Sequence, residues 1–202
     1  MSIKQKIKFF IQSLETPERL EIINKNRKLF PEFEIFKSIN GYNIEETCDE
    51  FYKSGYKFHN LRFKTFGTLA NWLTKVKAIE YQVKNNIEYL VLIEDDLLLK
   101  EHFIQFIINK IPRCDRRNFL RLAKWGEGYV FSLKGAKEIL EHMKKNGIIK
   151  NIDDQLEKHC GKEEHTVGTP WSLVIGTNNG DCLKTETISD DQLEKFKNHI
   201  PK

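Results

Sequence analysis

The stretch "YLVLIEDDLLLK" (Tyr89 to Lys100) sets Glu94, Asp95 and Asp96 side by side between two apolar runs. Adjacent carboxylates repel one another, and burying them without compensation is costly. Two arrangements relieve the cost. Either the acids begin a loop and cap the next helix, or a cation sits against them. Hard oxygen ligands suit Mg²⁺ or Mn²⁺, with the remaining positions left for water and phosphate oxygens. A strand ending in such acids can hold the ion against a diphosphate and neutralise charge on a departing phosphate. The apolar run resumes at Leu97, Leu98 and Leu99, so the segment does not simply leave the protein for solvent.

The triplet alone does not separate glycosyl transfer from nucleotidyl transfer or phosphoester hydrolysis. Against the latter two, no Gly-rich, Arg/Lys-bearing phosphate loop follows the first predicted strand, and no nucleophilic Asp stands there. A third reading is a non-catalytic glycan-binding module that keeps the sheet but not the turnover. In "KWGEGY" (Lys124 to Tyr129), Trp125 either stacks on a sugar ring or fills the core between two strands.

The elements that must position these residues alternate between strand and helix. "KIKFFIQSL" (Lys6 to Leu14) reads as a first strand, followed by a helix with Thr16 as its cap and Pro17 at its first position. "FEIFKSI" is a second strand, closed by Asn40-Gly41, and "IEETCDEFYKSG" a short helix stopped by Gly55. "GTLANWLTKVKAIEYQV" is predicted to be amphipathic, with Leu69, Trp72, Leu73, Val76, Ile79 and Val83 on its apolar stripe. It feeds "YLVLI", a continuous run expected of a strand covered on both faces. "HFIQFIINKI" is a helix, "NFLRLA" and "GYVFSL" strands, and "KGAKEILEHMKKNG" a helix stopped by Gly147. "IDDQLEKHC" opens a helix with acids, "TVGTPWSLVIG" is extended, and "SDDQLEKFKNHI" is a terminal helix capped by Ser189. The fold class is therefore α/β, with the triplet at the C-terminal end of a central strand, the edge where open α/β sheets bind ligands.

Bulk properties narrow the class of protein. The chain has 202 residues, 40% of them hydrophobic, which suits one compact domain, and no linker or repeat divides it. The net charge of +4 is mild and interspersed, so no nucleic-acid partner is expected, while small anions stay plausible. No run is long enough for a signal peptide or membrane span, and Cys48, Cys114, Cys160 and Cys182 form no C-x-x-C pair. A soluble protein with free thiols in a cytoplasm is expected, the host's cytoplasm for a viral source.

Several segments, taken in order, resemble glycosyltransferase family 25, which includes lipooligosaccharide and collagen galactosyltransferases. "LVLIEDDLLL" resembles the DXD-type metal motif of GT-A glycosyltransferases in the I-x-E-D-D form typical of that family. "FFIQSLETPERLEII" is similar to its opening strand and Arg-bearing helix, and "FEIFKSINGYN" to its "f-x-A-v-d-G" strand end, with Asn40 in place of the usual acid. "GYVFSLKGAKEIL" is similar to its "aY-x-i-s-x-x-G-A-x-x-l" segment, "NIDDQL" to its "P-x-D-x-x-L" element, and "VGTPWSLV" to a late strand. "FGTLANWLTKVKAIEY" departs from it, since Leu69-Ala70-Asn71-Trp72-Leu73 replaces the family's Cys-x-x-Ser-His. The chain also resembles the small GT-A enzymes of large algal viruses that decorate capsid glycoprotein.

The resemblance implies one GT-A-like domain over residues 1–202, a mixed, mainly parallel sheet flanked by helices. Its nucleotide-binding part would span about 1–100 and its acceptor-side part about 101–202. It implies a hexosyltransferase that uses Mn²⁺ or Mg²⁺ and a nucleoside diphosphate sugar, a UDP-sugar by preference, acting on a glycan or glycoprotein acceptor. Asp96 would be the direct metal ligand, with Glu94 and Asp95 serving the second oxygen, the ribose or the ligand's orientation. Gln12, Ser13, Leu14 and Arg19 would form one wall of the nucleotide site, with Asn40 near the uracil or ribose. Thr68, Asn71 and Lys75 either meet the diphosphate and sugar hydroxyls or form a solvated helix face. Asp153 and Asp154 are candidate general bases for the acceptor hydroxyl, the alternative being helix capping. His165 opens "HTVGTPW", which resembles the "H-x-x-G-x-x-K-P-W" of glycogenin-type enzymes but is two residues short and lacks the Lys. It is either a metal ligand or a surface His.

Overall fold

The run before the triplet forms a strand because Leu90 and Leu92 face one apolar layer while Tyr89, Val91 and Ile93 face another. A computed structural model of the chain describes residues 6–117, 119–122, 128–159, 174–176 and 184–201. In chain order the described elements are β1 (Ile7–Ser13), α1 (Pro17–Leu29), β2 (Phe33–Lys37), α2 (Ile44–Ser54), α3 (Phe66–Lys84), β3 (Tyr89–Glu94) and β4 (Leu97–Leu99). They continue with α4 (Phe103–Cys114), β5 (Phe119–Arg121), β6 (Gly128–Ser132), α5 (Leu133–Asn146), α6 (Ile152–His159), β7 (Val174–Gly176) and α7 (Asp190–Lys197).

Among the described residues five strands form one sheet in the order β2-β1-β3-β6-β5, and β4 pairs with β7 in a separate ribbon. Strand β1 runs parallel to both β2 and β3, whereas β6 runs antiparallel to β3 and to β5. The architecture is thus mixed α/β and consistent with the Rossmann-like GT-A expectation. Alternation along β1 sends Phe9 and Ile11 to the layer that holds Ile23 of α1 and Phe103 and Ile107 of α4. It sends Phe10 to the other layer, with Trp72 of α3, Ile139 of α5 and Leu156 of α6.

The structure corrects two local expectations. Thr16 precedes α1 in extended geometry but makes no side-chain cap bond, and Pro17 alone marks the start. Helix α3 is buried around most of its circumference, because α2, α5 and α6 pack on it as well as the sheet. Its Lys75 is only 1% exposed, so a solvated helix face is ruled out for that residue. The expected stops hold. Gly55 and Gly147 follow α2 and α5 with φ of 72° and 66°, and Ser189 caps α7. Cys48 and Cys114 are free thiols, whereas Cys160 and Cys182 lie outside the described residues. Among the described residues no helix is long and apolar enough to cross a membrane.

Two further ties matter for the site. The first amides of α3 are satisfied by a late segment of the chain. Phe66 N–H donates to Glu186 O at 3.0 Å, Gly67 N–H donates to Thr185 Oγ1 at 2.7 Å, and Ile188 N–H donates to Lys64 O at 2.8 Å. Asn26 of α1, fully buried, donates to Leu97 O at 2.6 Å and accepts from Leu99 N–H at 2.8 Å, so its amide pairs with β4 as a strand would. Asn26→Ala should strip partners from both backbone groups and cost about 2–4 kcal/mol, measured by urea unfolding.

Candidate active site at the sheet switch point

The chain steps outward from β1 to β2 on one side and later places β3 on the other, so the crevice between the ends of β1 and β3 is a topological switch point. Gln12 and Glu94 are register partners there and face α3. Gln12 Nε2 donates to Asn71 Oδ1 at 3.1 Å, and its Oε1 is buried with no hydrogen-bond partner among the described residues. One helical turn on, Lys75 Nζ lies 2.9 Å from Glu94 Oε1 and 2.9 Å from Asp153 Oδ1. Tyr129 Oη of β6 donates to the same Asp153 oxygen at 2.7 Å, and Lys75 Nζ stands 5.3 Å from the Tyr129 ring centre. This row ties together β1, β3, β6, α3 and the first turn of α6.

Its electrostatics follow from burial. Desolvation opposes the Lys75 charge, but Asp153 and Glu94 outweigh it and hold the ammonium above its ordinary range. Desolvation raises Glu94, Lys75 lowers it, and Asp96 and Asp153 raise it again, leaving its carboxyl pushed up to about 7. The Lys75 ion pairs are therefore internal, and the lysine acts first as the counter-charge of two acids.

On the other face of the sheet the remaining acids meet a second cation. Ser13 Oγ donates to Asp95 Oδ2 at 2.5 Å and accepts from Glu15 N–H at 2.8 Å, where the chain turns through Glu15 at φ 56°. Arg19, in the first turn of α1, lies 3.7 Å from Asp95 Oδ1 and 3.8 Å from Asp96 Oδ2. The triplet is thus split, with Glu94 toward α3 and Asp95 and Asp96 toward α1. Among the described residues no three His, Cys, Asp or Glu side chains converge as a ligand set. Asp95 and Asp96 nevertheless offer hard oxygens at the strand end. That donor set fits Mg²⁺ or Mn²⁺ when diphosphate and water complete the shell, since such ions are commonly held by one or two carboxylates.

Other predicted residues take distinct places. Leu14 is exposed just beyond β1. Asn40, past the end of β2, accepts from Tyr42 N–H at 3.0 Å in an Asx turn. Thr68 forms the capping box of α3 with Thr65, a local role that its spacing from Thr65 already encodes. Asp154 meets Arg62 Nη1 at 3.9 Å. His165 and Trp125 lie outside the described residues. The sequence reading passed over Tyr129 and Arg62. For Tyr129 the available signal was its place in the family-like "GYVFSL" segment, while nothing local marked Arg62.

Two comparisons bear on identity. No curated protein matches the chain. The sequence model of glycosyltransferase family 25 (LPS biosynthesis protein) matches residues 6–127, a span that holds β1, α3, β3 and the whole triplet. Membership implies a glycosyltransferase acting with a nucleotide-sugar donor, in keeping with a crevice walled by Gln12 and Glu94. With more than half of its residues matched, the chain belongs to glycosyltransferase family 25.

Proposed function

We propose that the enzyme transfers a hexose from a UDP-sugar, with Mn²⁺ or Mg²⁺, to a hydroxyl of a glycan or glycoprotein. The observation that carries this reading is the split triplet at the switch point, with Asp95 and Asp96 beside Arg19 and Glu94 locked to Lys75. Asp96, helped by Asp95, would hold the cation, which when bound supplies positive charge to the leaving diphosphate. Arg19 adds a cation on the same side, and Ser13 fixes the Asp95 carboxylate. Gln12, with Asn71 behind it, presents a buried amide oxygen to the ribose or sugar hydroxyls.

Transfer forms a bond between the acceptor oxygen and the sugar's anomeric carbon, while the bond to phosphate breaks and its electron pair leaves with the diphosphate. The acceptor proton needs a base. Asp153 is engaged by Lys75 and Tyr129, so its role is to hold α6 against the sheet. Asp154, the next residue and more open, is assigned the proton.

A thermal-shift screen of UDP- and GDP-sugars with Mn²⁺ and with chelator tests the reading. At ligand near a hundred times its Kd, a UDP-sugar with Mn²⁺ should raise Tm by roughly 5–10 °C. Stabilisation that persists unchanged in chelator would sink the metal assignment. No stabilisation by any uridine nucleotide would sink the donor.

A further inference from the structure

We propose that Phe63, with Arg62 and Asp154, is the platform on which a pyranose ring of the acceptor stacks; the inference rests on the glycosyl-transfer reading above and locates its second substrate. An exposed aromatic ring on a mobile loop would carry little meaning, but the backbone of Phe63 is fixed from both sides. Asn151 Oδ1 accepts from Arg62 N–H at 3.1 Å and from Phe63 N–H at 3.4 Å. Thr68 Oγ1 donates to Phe63 O. Phe63 nonetheless stays 40% exposed. Rigid support under an open apolar ring is costly to leave in water and well suited to a flat partner.

The anchors also locate the platform. Thr68 lies on α3 one turn before Asn71, which bonds Gln12 at the switch point. Asn151 immediately precedes α6, whose Asp153 closes the buried row through Lys75 and Tyr129. Phe63 is therefore bracketed by the two helices that build the site, on the side of β6 rather than that of β2. The partner's chemistry follows from the three side chains. The Arg62 guanidinium lies over one face of the Phe63 ring, 5.0 Å from its centre, and 3.9 Å from Asp154, so the other face is the one offered to a sugar, with donor and acceptor groups close by. A pyranose presents the matching pattern, axial C–H bonds on one face and hydroxyls around its edge. The platform joins residues 62–63 to 154, so acceptor contacts cross the expected division near residue 100.

Saturation-transfer NMR on the full chain, irradiating aromatic protons in the presence of millimolar lactose, cellobiose or maltose, tests the proposal. Transfer to the pyranose C–H protons is expected in the wild type, clearly reduced in Phe63→Ala and retained in Phe63→Tyr. With a responding sugar, Phe63→Ala should weaken binding roughly three- to tenfold. The absence of transfer in the wild type, or equal transfer in Phe63→Ala, overturns the platform. The Mn²⁺-dependent UDP shift is measured on the same proteins and should survive Phe63→Ala, which shows that the variant is folded. A wild type that passes the sugar test yet gains nothing from UDP and Mn²⁺ would overturn the donor reading and leave the platform standing.

Discussion

Lys75→Met should lower the unfolding free energy by about 3–5 kcal/mol, moving the urea midpoint down by roughly 1–3 M at unchanged slope. Methionine keeps the length and apolar stem of the side chain, so packing inside α3 is largely preserved. What disappears is the ammonium 2.9 Å from both Glu94 and Asp153. Those acids then sit against α3 and β6 without the cation that compensated them, and desolvation already dominates the behaviour of Glu94. The sharper test is the triple variant Lys75→Met, Glu94→Gln, Asp153→Asn. Replacing a whole buried ion set by neutral groups costs far less than stripping one member, so most of the loss should return. If the triple variant is no more stable than Lys75→Met alone, the loss comes from packing rather than charge.

Asp96→Asn should cut kcat by roughly a thousandfold while leaving the urea midpoint near that of the wild type. The substitution is nearly isosteric, and Arg19 keeps its contact with Asp95. On the proposed function, what is lost is a hard anionic ligand at the end of β3, worth several kcal/mol to a leaving diphosphate. The Mn²⁺-dependent part of the UDP thermal shift should vanish with it, and any metal-independent part should remain. Full activity in Asp96→Asn would remove that residue from the metal site. Asp95→Asn, in which Ser13 still reaches the side chain, is the natural comparison.

How much of this was readable in the chain varies with distance along it. Strands β1 and β3 were legible because their apolar residues are continuous, as burial on both faces demands. The helix stops at Gly55 and Gly147 were legible because positive φ is a local requirement that glycine meets. The position of the triplet at the end of the middle strand followed from the same local patterns. What holds the triplet did not, because Arg19 and Lys75 reach it through pairings that no local window contains. The burial of Lys75 was hidden for a related reason. Periodicity assigns α3 one apolar stripe, whereas packing from the sheet and from α2, α5 and α6 buries nearly every side. The final "LLL" of the opening stretch likewise hid a short strand, β4, whose partners are β7 and the Asn26 amide.

The ties between residues 185–188 and the start of α3 have a consequence for the order in which the protein matures. Gly67 and Thr185, joined at 2.7 Å, are separated by 118 positions. During synthesis β1, α1 and β2 can pair early, but the Phe66 and Gly67 amides at the start of the helix that carries Asn71 and Lys75 wait for this segment to emerge from the ribosome. Binding competence should therefore arrive late and abruptly. A nascent chain halted before Thr185 would hold much of the sheet and none of the grip on substrate.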